Sequence, residues 1–458
     1  MAHEGVSCHE YDCGPVPLAR LDLRGIPAAQ IAAKVARPAS MEGLPTEEVR
    51  SILEEVRNGG DGALRRLTKQ YDGVVINSLR VPREELTQAH GAIAPRLREA
   101  LELAYRRILA YHSQESGPEE DFEMDGVRVR RLVRPVARAG LYAPGGRARY
   151  PSTVLMCAAP ARVAGVEELA LCVPPGRDGA VATETLAAAA IAGIDEVYRI
   201  GGAQAVGALA FGTQTVCPVD VIVGPGNRFV AEAKRQVSGL VGVPSAFAGP
   251  SEVVVVADAT APAEWVAVDV LVQAEHGPDG LAWLVTWSEE VARNVLREIE
   301  RLVASSPRRS ELTSTLRSGG SLVLVDGPVE AISLANAVAP EHLELLVEEP
   351  EALVDLVRSA GAVFCGPYSP ASIGDYLAGP NHVLPTARSA RFSSALRVDD
   401  FRTHIHSVSV EREALLRLAP YVEAIAEAEG LDAHALSVRL RAKGSDRQDR
   451  AVGAADAR

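Results

Sequence analysis

The sequence predicts an α/β protein in which parallel β-sheets are covered by helices. Short runs that are apolar throughout alternate with longer segments whose apolar residues recur at helical spacing. Strands without a polar face are typical of parallel sheets that are buried on both sides. Aromatic residues make up only 4% of the chain, whereas the small and branched side chains that suit helix-on-sheet packing are abundant.

Eight apolar runs predict the strands of these sheets. In chain order they are ELALCV (168–173), EVYRI (196–200), VDVIV (219–223), SEVVVVAD (251–258), LAWLVTW (281–287), SLVLVD (321–326), LELLV (343–347) and AVFCG (362–366). Between many of them lie helical patterns such as TETLAAAAIAGI and VEAISLANAVA. This alternation indicates parallel strands that are joined by helical crossovers.

Length and charge limit the possible partners. With 458 residues, 47% of them hydrophobic, the chain is long enough for two or more domains with large cores. A net charge of −13 argues against nucleic acid or an anionic membrane as the main partner. The apolar runs are too short to span a bilayer and no signal peptide is recognisable, so we expect a cytoplasmic protein.

The six cysteines are scattered and form no C-x-x-C pair, so we expect reduced thiols. Cys8, His9 and Cys13 lie in a polar leader that we expect to be a mobile arm rather than a small metal site. The polar segment 444–458 is expected to be a disordered tail.

Three glycine-rich loops are candidates for binding an anionic cofactor. They are LYAPGGRARYPS (141–152), RIGGAQAVGALAFG (199–212) and VIVGPGNRFVAEAKRQV (221–237). Glycines let the backbone approach a ligand, and a helix that follows offers unpaired N–H groups. No G-x-G-x-x-G is present, so tight strand–helix turns explain these loops equally well. Tyr142 in the first loop is available to stack on a flat ring.

Gln273 and His276 are the first candidates for metal ligands. The segment AEWVAVDVLVQAEH reads as a helix that Gly277 and Pro278 end. The two side chains stand at i and i+3, on one face, at the end of the helix whose dipole favours a cation. A polar helix end that faces water is the alternative. Further candidates follow in GDYLAGPNHVLPT (374–386), with Asp375 and His382, and in the C-terminal helix, with Glu429 and His434.

The segment VAPEHLELLV (338–347) carries the candidate acid–base pair. Pro340 predicts an extended conformation for Ala339, and Glu341 and His342 then follow directly before an apolar strand. Histidine titrates nearest neutrality and can remove a proton from an alcohol, and a neighbouring carboxylate can activate water. Two unrelated polar residues at a strand entrance are the alternative.

Taken together, the motifs resemble those of histidinol dehydrogenases. GLYAPGG, GGAQA, VGPGN, AGPSE, QAEHGPD, APEHLEL, GDYLAGPNHVLPT, RFSSALRVDDF and AEAEGLDAH occur in the order found in that family, from about residue 31 to residue 440. The resemblance implies a zinc enzyme that oxidises L-histidinol to L-histidine through L-histidinal with two NAD, the last step of histidine biosynthesis.

The resemblance also implies a role for each candidate residue. The zinc ligands would be Gln273, His276, Asp375 and His434. His342 would be the base in both oxidations, and Glu341 would activate the water that adds to the aldehyde. Ser251, His382 and Glu429 match substrate contacts, to which Gln273, His276, His342, Asp375 and His434 also contribute. Tyr142, Gln204 and Asn227 match contacts to NAD.

The architecture that the resemblance implies is two incomplete Rossmann-like domains, one inserted in the other, with small terminal pieces. We expect an N-terminal arm (1–30), a discontinuous first α/β domain (31–140 and 251–395), an inserted α/β domain (141–250) and a C-terminal arm (396–443) before the tail. An intertwined homodimer is implied, in which Glu429 and His434 serve the active site of the other subunit.

Three alternatives to histidinol oxidation stay open. One is a related zinc and NAD enzyme that acts on another small alcohol, because Val338 stands where the family usually has an aromatic residue. The second is a zinc hydrolase with Glu341 as the base and no NAD. The third is a non-catalytic binding protein on the same fold.

Overall fold

A computed structural model of the chain describes residues 18–35, 44–115, 121–145, 149–245, 249–277 and 280–455. Cys8, His9 and Cys13 lie outside these ranges. The chain divides into two compact units. The first contains Met1–Ser116 with Val136–Phe401, and the second contains Gly117–Pro135 with Arg402–Arg458.

Within the described ranges, strands form three sheets. Their bounds are β1 (Ala19–Asp22), β2 (Asp121–Met124), β3 (Val127–Pro135), β4 (Arg138–Tyr142), β5 (Glu168–Val173), β6 (Glu196–Arg199), β7 (Val221–Val223), β8 (Glu252–Ala257), β9 (Leu281–Thr286), β10 (Gly320–Leu324), β11 (His342–Leu346), β12 (Ala362–Cys365) and β13 (Arg402–Val410). All eight strands that the apolar runs predict are confirmed, as β5 to β12.

The helices that the structure describes are α1 (Ala28–Lys34), α2 (Thr46–Tyr71), α3 (Arg83–Ala92), α4 (Pro95–His112), α5 (Pro151–Ala164), α6 (Thr183–Ile191), α7 (Gly202–Phe211), α8 (Arg228–Val237), α9 (Ala263–Val272), α10 (Glu289–Ser305), α11 (Arg309–Gly319), α12 (Pro328–Val338), α13 (Glu351–Val354), α14 (Ala371–Tyr376), α15 (Arg412–Ala428) and α16 (Asp432–Ala455). A 3₁₀ turn, Gln273–His276, continues α9. None of the helices in these ranges is long and apolar enough to cross a bilayer.

The helix α16 reaches Ala455, so it includes most of the segment that was expected to be a disordered tail. That segment is polar, but Ala, Arg and Gln, which it contains, are good helix formers. Polarity alone therefore did not distinguish a polar helix from a tail.

The larger sheet of the first unit has six parallel strands in the order β1-β10-β9-β8-β11-β12. Both of its faces are covered. Val253 and Val255 of β8 pack with α9, α10 and α11 on one side, and Val254 and Val256 pack with α1 and α12 on the other. The edge strand β1 comes from the segment that was expected to be an N-terminal arm.

The smaller sheet of the first unit has four parallel strands in the order β6-β5-β4-β7. Alternate residues of β5 again point into two cores. Leu169 and Leu171 pack with α3 to α6, whereas Ala170 and Cys172 pack with α2, α7 and α8. The two parallel sheets agree with the predicted α/β class.

The second unit is a three-stranded antiparallel sheet, β13-β3-β2, together with α15 and α16. Ile405 of β13 stands opposite Leu132 of β3. The pairing therefore joins Val127–Pro135, which the sequence assigns to the first α/β domain, to the C-terminal segment. Its strands β2 and β13 are mostly exposed.

Candidate active site

A cavity of about 470 Å³ lies at the amino-terminal edge of the six-stranded sheet. Ser251 and Glu341, which line it, stand immediately before β8 and β11. These strands are parallel neighbours, with His342 in register with Val253. The cavity brings together six of the predicted site residues from across the chain, Ser251, Gln273, Glu341, His342, Asp375 and His382, and Asn227 also lines it.

Glu341 is held by an exchange of hydrogen bonds between β8 and β11. The Glu252 N–H donates to Glu341 Oε2 at 3.1 Å, and the Glu341 N–H donates to Glu252 Oε2 at 3.2 Å. Glu252 also accepts from the Ala387 N–H at 3.1 Å. The first N–H groups of two strands thus fix two carboxylates at one sheet edge.

His342 is buried, and its orientation follows from one bond. Its Nδ1 lies 3.0 Å from the Glu252 carbonyl oxygen. Because a carbonyl can only accept, Nδ1 carries the proton, and in the neutral ring Nε2 keeps the lone pair. Nε2 lies 3.4 Å from Asp375 Oδ1, although no group in the described residues is aligned to hydrogen-bond it. The ring also stacks on Phe364.

The pKa values of Glu341, His342 and Glu252 are all raised. Burial, with Asp375 adding to it, raises the pKa of Glu341 to about 7 against the opposing charge of His342. Burial lowers the pKa of His342, but Glu341 and Asp375 outweigh it and raise the value to about 9. Burial and the nearby Glu341 charge raise the pKa of Glu252 to about 8. A cluster of carboxylates whose pKa values lie near neutrality is typical of acid–base sites.

Gln273, Asp375 and His382 form the other wall of the cavity. Gln273 is 2% exposed, and its terminal Nε2 is buried without a partner among the described residues. Asp375 lies on α14, and its carbonyl oxygen accepts from His382 Nδ1 at 2.8 Å. Gln273 and Asp375 both line this cavity, and an amide oxygen with a carboxylate provides part of a donor set for a cation.

The structure does not show the other two predicted zinc ligands, His276 and His434, at the cavity. The backbone of His276 belongs to the turn that begins at Gln273, but its side chain lies outside the description. His434 lies in the second unit, exposed in the first turn of α16, and Glu429 is exposed at the end of α15. Within the described part of the chain, no group of three or more His, Cys, Asp or Glu side chains could hold a metal ion.

A second cavity, of about 1190 Å³, lies at the carboxyl-terminal edge of the four-stranded sheet. It contains Tyr142, Gln204 and Asn227, the predicted NAD contacts, and it shares Pro144 and Asn227 with the first cavity. Most of the Tyr142 ring is packed in the core. Its hydroxyl accepts from the Gly202 N–H at 3.2 Å, and burial raises the pKa of that hydroxyl.

The loop between β7 and α8 connects the two cavities. Gly224 has φ 107°, and a β-carbon there would collide with the Tyr142 carbonyl oxygen. Asn227 caps α8, because its Oδ1 accepts from the N–H groups of Phe229 and Val230 at 3.0 and 3.2 Å. Lys234, which is buried, donates from Nζ to the Gly224 carbonyl oxygen.

The prediction for Ala339 is wrong. It adopts the left-handed conformation, with φ 53° and ψ 59°, and its N–H closes α12 on the Ala335 carbonyl at 2.7 Å. The reversal turns the chain from α12 into β11, and this tertiary demand overrides the local preference of a residue before proline. The conformation costs about 1–2 kcal/mol for a residue other than glycine.

Sequence reasoning missed Glu252 and Lys234 as parts of the site. Glu252 has one signal in the sequence, since it is the single charged residue that opens an otherwise all-aliphatic strand. Lys234 has none, because a lysine in an amphipathic helix is usually exposed.

Comparison with known proteins identifies relatives along nearly the whole chain. A family model described as histidinol dehydrogenase matches residues 36–442. The histidinol dehydrogenase of Parasynechococcus marenigrum is 50% identical over 393 residues, which cover 85% of this chain and 89% of that protein. That of Moorella thermoacetica is 48% identical over 396 residues, which cover 86% and 93%.

A solved structure agrees with the fold. The crystal structure of histidinol dehydrogenase from Elizabethkingia anophelis superposes with a TM-score of 0.88 at 36% sequence identity, covering 93% of this chain and 98% of that one. The likeness thus extends over both parallel sheets and the cavities at their edges.

Proposed function

Because the chain belongs to the histidinol dehydrogenase family, we propose that its first cavity oxidises L-histidinol to L-histidine through L-histidinal, with two NAD as hydride acceptors. Membership makes the chain an NAD-dependent oxidoreductase of histidine biosynthesis. One observation supports the cavity assignment above all others. The pair Glu341–His342 lines a substrate-sized cavity that shares Asn227 with a larger, nucleotide-sized one.

His342 is the proposed base in both oxidations. With Nδ1 donating to the Glu252 carbonyl, the ring offers its lone pair at Nε2 when it is neutral. Against the effect of burial, Glu341 and Asp375 raise its pKa to about 9, and a cation bound at Asp375 would lower that pKa again and favour the neutral base. In the first oxidation Nε2 takes the hydroxyl proton of histidinol, and the carbon that bears this hydroxyl loses a hydride to the nicotinamide ring. In the second it takes a hydroxyl proton of the aldehyde hydrate in the same way.

Glu341 is the proposed base for hydration of the aldehyde. Its carboxylate takes a proton from water as the water oxygen bonds to the carbonyl carbon of histidinal. Protonated His342 returns its proton to the carbonyl oxygen, which completes the hydrate and frees Nε2 for the second oxidation. A pKa raised to about 7 makes the carboxylate a far better base than a solvated glutamate. The backbone exchange with Glu252 holds it beside His342 throughout.

Gln273, His276, Asp375 and His434 are the proposed zinc ligands. Two imidazoles, a carboxylate and an amide oxygen suit this borderline ion, and the presence of Gln273 and Asp375 in the lining of one cavity is consistent with that set. Zinc bound there would supply a positive charge that attracts and orients the imidazole and amine of the substrate. Ser251, His382 and Glu429 are the further substrate contacts that we propose.

The second cavity is the proposed site for NAD, with Tyr142, Gln204 and Asn227 as contacts. Support comes from its position at the carboxyl ends of parallel strands, where such sheets collect nucleotides. The capped start of α8 presents the positive end of a helix dipole to anionic groups.

We propose a homodimer in which Glu429 and His434 complete the active site of the partner subunit. Support comes from the second unit, which exposes many large apolar side chains, an arrangement typical of a surface that another chain covers. Those at least half exposed include Phe122, Met124, Ile405, Val408, Tyr421, Ile425 and Leu440.

Mixing two inactive variants tests this arrangement. His342→Asn and His434→Ala are expected to be inactive separately, because each lacks part of every site. If the sites are shared, co-refolding equal amounts restores about a quarter of wild-type activity, because half of the dimers then contain one intact site of two. Mixtures that stay inactive although size analysis shows mixed dimers would contradict the shared site.

NADH absorbance with a panel of small alcohols tests the substrate. We expect L-histidinol to be preferred strongly over amino alcohols without an imidazole and over sulfonated diols. A chelator should abolish both bound zinc and turnover, and added zinc should restore both. Turnover of another alcohol in preference to histidinol, or activity that persists without metal, would contradict the proposal.

A further inference from the structure

Glu344 is a buried carboxyl that the reaction described above does not use. It lies on β11 two residues after His342, so both side chains leave the same face of the strand. It is 1% exposed. Its Oε1 accepts from the Ala371 N–H at 3.2 Å, and Ala371 begins α14, the helix that carries Asp375.

The second partner of Glu344 is Asp269, another buried carboxyl. Asp269 lies on α9, one turn before Gln273, and the two carboxyl groups hydrogen-bond to each other. Glu344 therefore contacts α9 and α14 from β11. These three elements carry Gln273, Asp375 and His342, three residues of the proposed site.

The contact between the two carboxyl groups calls for a shared proton. If both were ionised, like charges would meet in the core, and Glu344 Oε2 would be a buried acceptor without a donor. A proton on one oxygen removes the repulsion and supplies the missing donor. The shifts agree, because burial raises the pKa of both groups, that of Glu344 well above its ordinary value.

Packing alone does not explain such a pair. Apolar side chains of similar volume would fill the same space without the cost of removing two carboxyl groups from water, and such replacements are often neutral or stabilising. Hydrogen bonds differ from apolar packing because they fix direction and distance. A polar pair at the junction of three elements therefore provides geometry more than stability.

We propose that Asp269 and Glu344, joined by one shared proton, form a positioning pair that holds α9, β11 and α14 at the spacing that the metal site requires. The inference rests on the proposed function, since it concerns the zinc that Gln273 and Asp375 would bind. The pair consists of positioning residues, because it acts through these side chains.

Three variants of the full-length protein test the pair. Glu344→Met keeps the length of the side chain and removes both hydrogen bonds. Glu344→Gln keeps an acceptor for the Ala371 N–H and can donate its amide N–H to Asp269, so it needs no shared proton. Asp61→Asn is the matched control, because Asp61 is also hydrogen-bonded and mostly buried, but it contacts Thr213 and Thr215 away from the cavity.

Zinc affinity of the metal-free protein is the first readout, measured with Zn²⁺ alone by competition against a chelating dye. We expect Glu344→Met to weaken zinc binding about 10- to 100-fold, the range for groups that support metal ligands, and to raise KM for histidinol more than it lowers kcat. Glu344→Gln should recover most of the affinity, and Asp61→Asn should bind zinc as the wild type does.

Thermal unfolding of the metal-free variants separates geometry from stability. We expect Glu344→Met to unfold at a lower temperature, because the Ala371 N–H and the Asp269 carboxyl lose their partner. Asp61→Asn also loses buried hydrogen bonds, so its zinc affinity shows that lower stability alone does not weaken zinc binding. Wild-type zinc affinity in Glu344→Met, or equal losses in the Gln and Met variants, would overturn the proposal. If Glu344→Met fails to fold, Asp269→Leu takes its place, because it removes the bond between the carboxyl groups and keeps the Ala371 bond. It should weaken zinc binding, and wild-type affinity in Asp269→Leu would overturn the proposal.

The wild-type protein keeps the two proposals distinct. If the wild type bound no zinc and did not oxidise histidinol, the proposed function would fail. If the wild type did both and Glu344→Met were unchanged, only the positioning pair would fail.

Discussion

The two parallel sheets place their candidate ligand sites at opposite edges. The four-stranded sheet has its cavity at the carboxyl ends of its strands, where Tyr142 ends β4 and Asn227 follows β7. The six-stranded sheet has its cavity at the amino ends, where Ser251 and Glu341 precede β8 and β11. The first is the usual position in open α/β sheets, and the second is its reverse.

The difference follows from the backbone groups that each edge exposes. After β7 the chain enters the start of α8, where the positive end of the helix dipole favours an anion. Before β9 the chain leaves α9, and Gln273 stands at the negative end of that helix dipole, which favours a cation. One architecture thus offers a candidate anion site and a candidate cation site.

Substitution of His342 should separate the functions of the two cavities most strongly, because this proposed base lies only at the amino-terminal edge of the six-stranded sheet. His342→Asn removes the base from both oxidations, so kcat should fall about 10²- to 10⁴-fold with histidinol and with histidinal. The Kd for NAD should stay near its wild-type value, since the second cavity is intact. Stopped-flow NADH formation and NAD titration measure the two quantities, and a variant that loses only one oxidation would show that the base is not shared.

Gly224→Ala should impair NAD binding rather than the acid–base chemistry, because Gly224 lies at the carboxyl-terminal edge of the four-stranded sheet. A β-carbon there collides with the Tyr142 carbonyl, so the loop must move. We expect KM for NAD to rise about tenfold, a loss of roughly 1.4 kcal/mol of binding, with zinc affinity retained. Gly193→Ala is the control, because Gly193 also has a positive φ but open space around it. Equal effects of the two changes would mean that backbone strain alone is responsible.

Asn227→Ala should have a smaller effect, one part of it on stability and the other on NAD binding. Loss of the two hydrogen bonds that cap α8 should lower the free energy of unfolding by about 1 kcal/mol. Asn227→Ser keeps a capping oxygen and should recover the stability in denaturant titrations. If Asn227→Ser also recovers NAD binding, Asn227 contributes only the helix cap. If the loss of NAD binding persists in Asn227→Ser, Asn227 contacts NAD directly.

Asp61 should provide the smallest effect, and it depends on pH. Burial alone would raise the pKa of Asp61, but hydrogen bonds from Thr215 and Thr213 hold it below its ordinary value. The stabilisation is therefore present above the unfolded pKa of about 3.9 and is lost as pH falls through the lower folded value. Asp61→Asn should be less stable at neutral pH and should lose less stability between about pH 5 and pH 2, as urea titrations at several pH values would measure. An identical loss in both proteins would exclude this role.

The sequence predicted the parts of the fold that depend on local pattern. Runs such as SEVVVVAD identify central strands because both faces are apolar. Strand β3, VRVRRLVRP, was missed because arginines alternate through it, and it is partly exposed. The short edge strand β1 was missed because its pairing with β10 joins residues about 300 positions apart.

Most of the site residues that the sequence motifs indicate line the two cavities, but the motifs gave little of their arrangement. Glu252 and Glu341 bond to each other only because β8 and β11 are neighbours in a particular register. The proton on His342 Nδ1 depends on the same register. The left-handed Ala339 depends on how α12 turns into β11. Pairing between distant segments decides all three, and no local pattern records it.

The central claim is that one cavity performs both oxidations and that Glu341 and His342 have separate roles in them. The number of NADH released per histidinol in a single turnover of Glu341→Gln tests this claim most directly. With enzyme in excess, the wild type should release two NADH for each histidinol. Glu341→Gln should release the first at a near-normal rate and then stop, with histidinal trapped by an amine-reactive or carbonyl-reactive quench. A second NADH at the wild-type rate from Glu341→Gln, or only one from the wild type, would contradict the account.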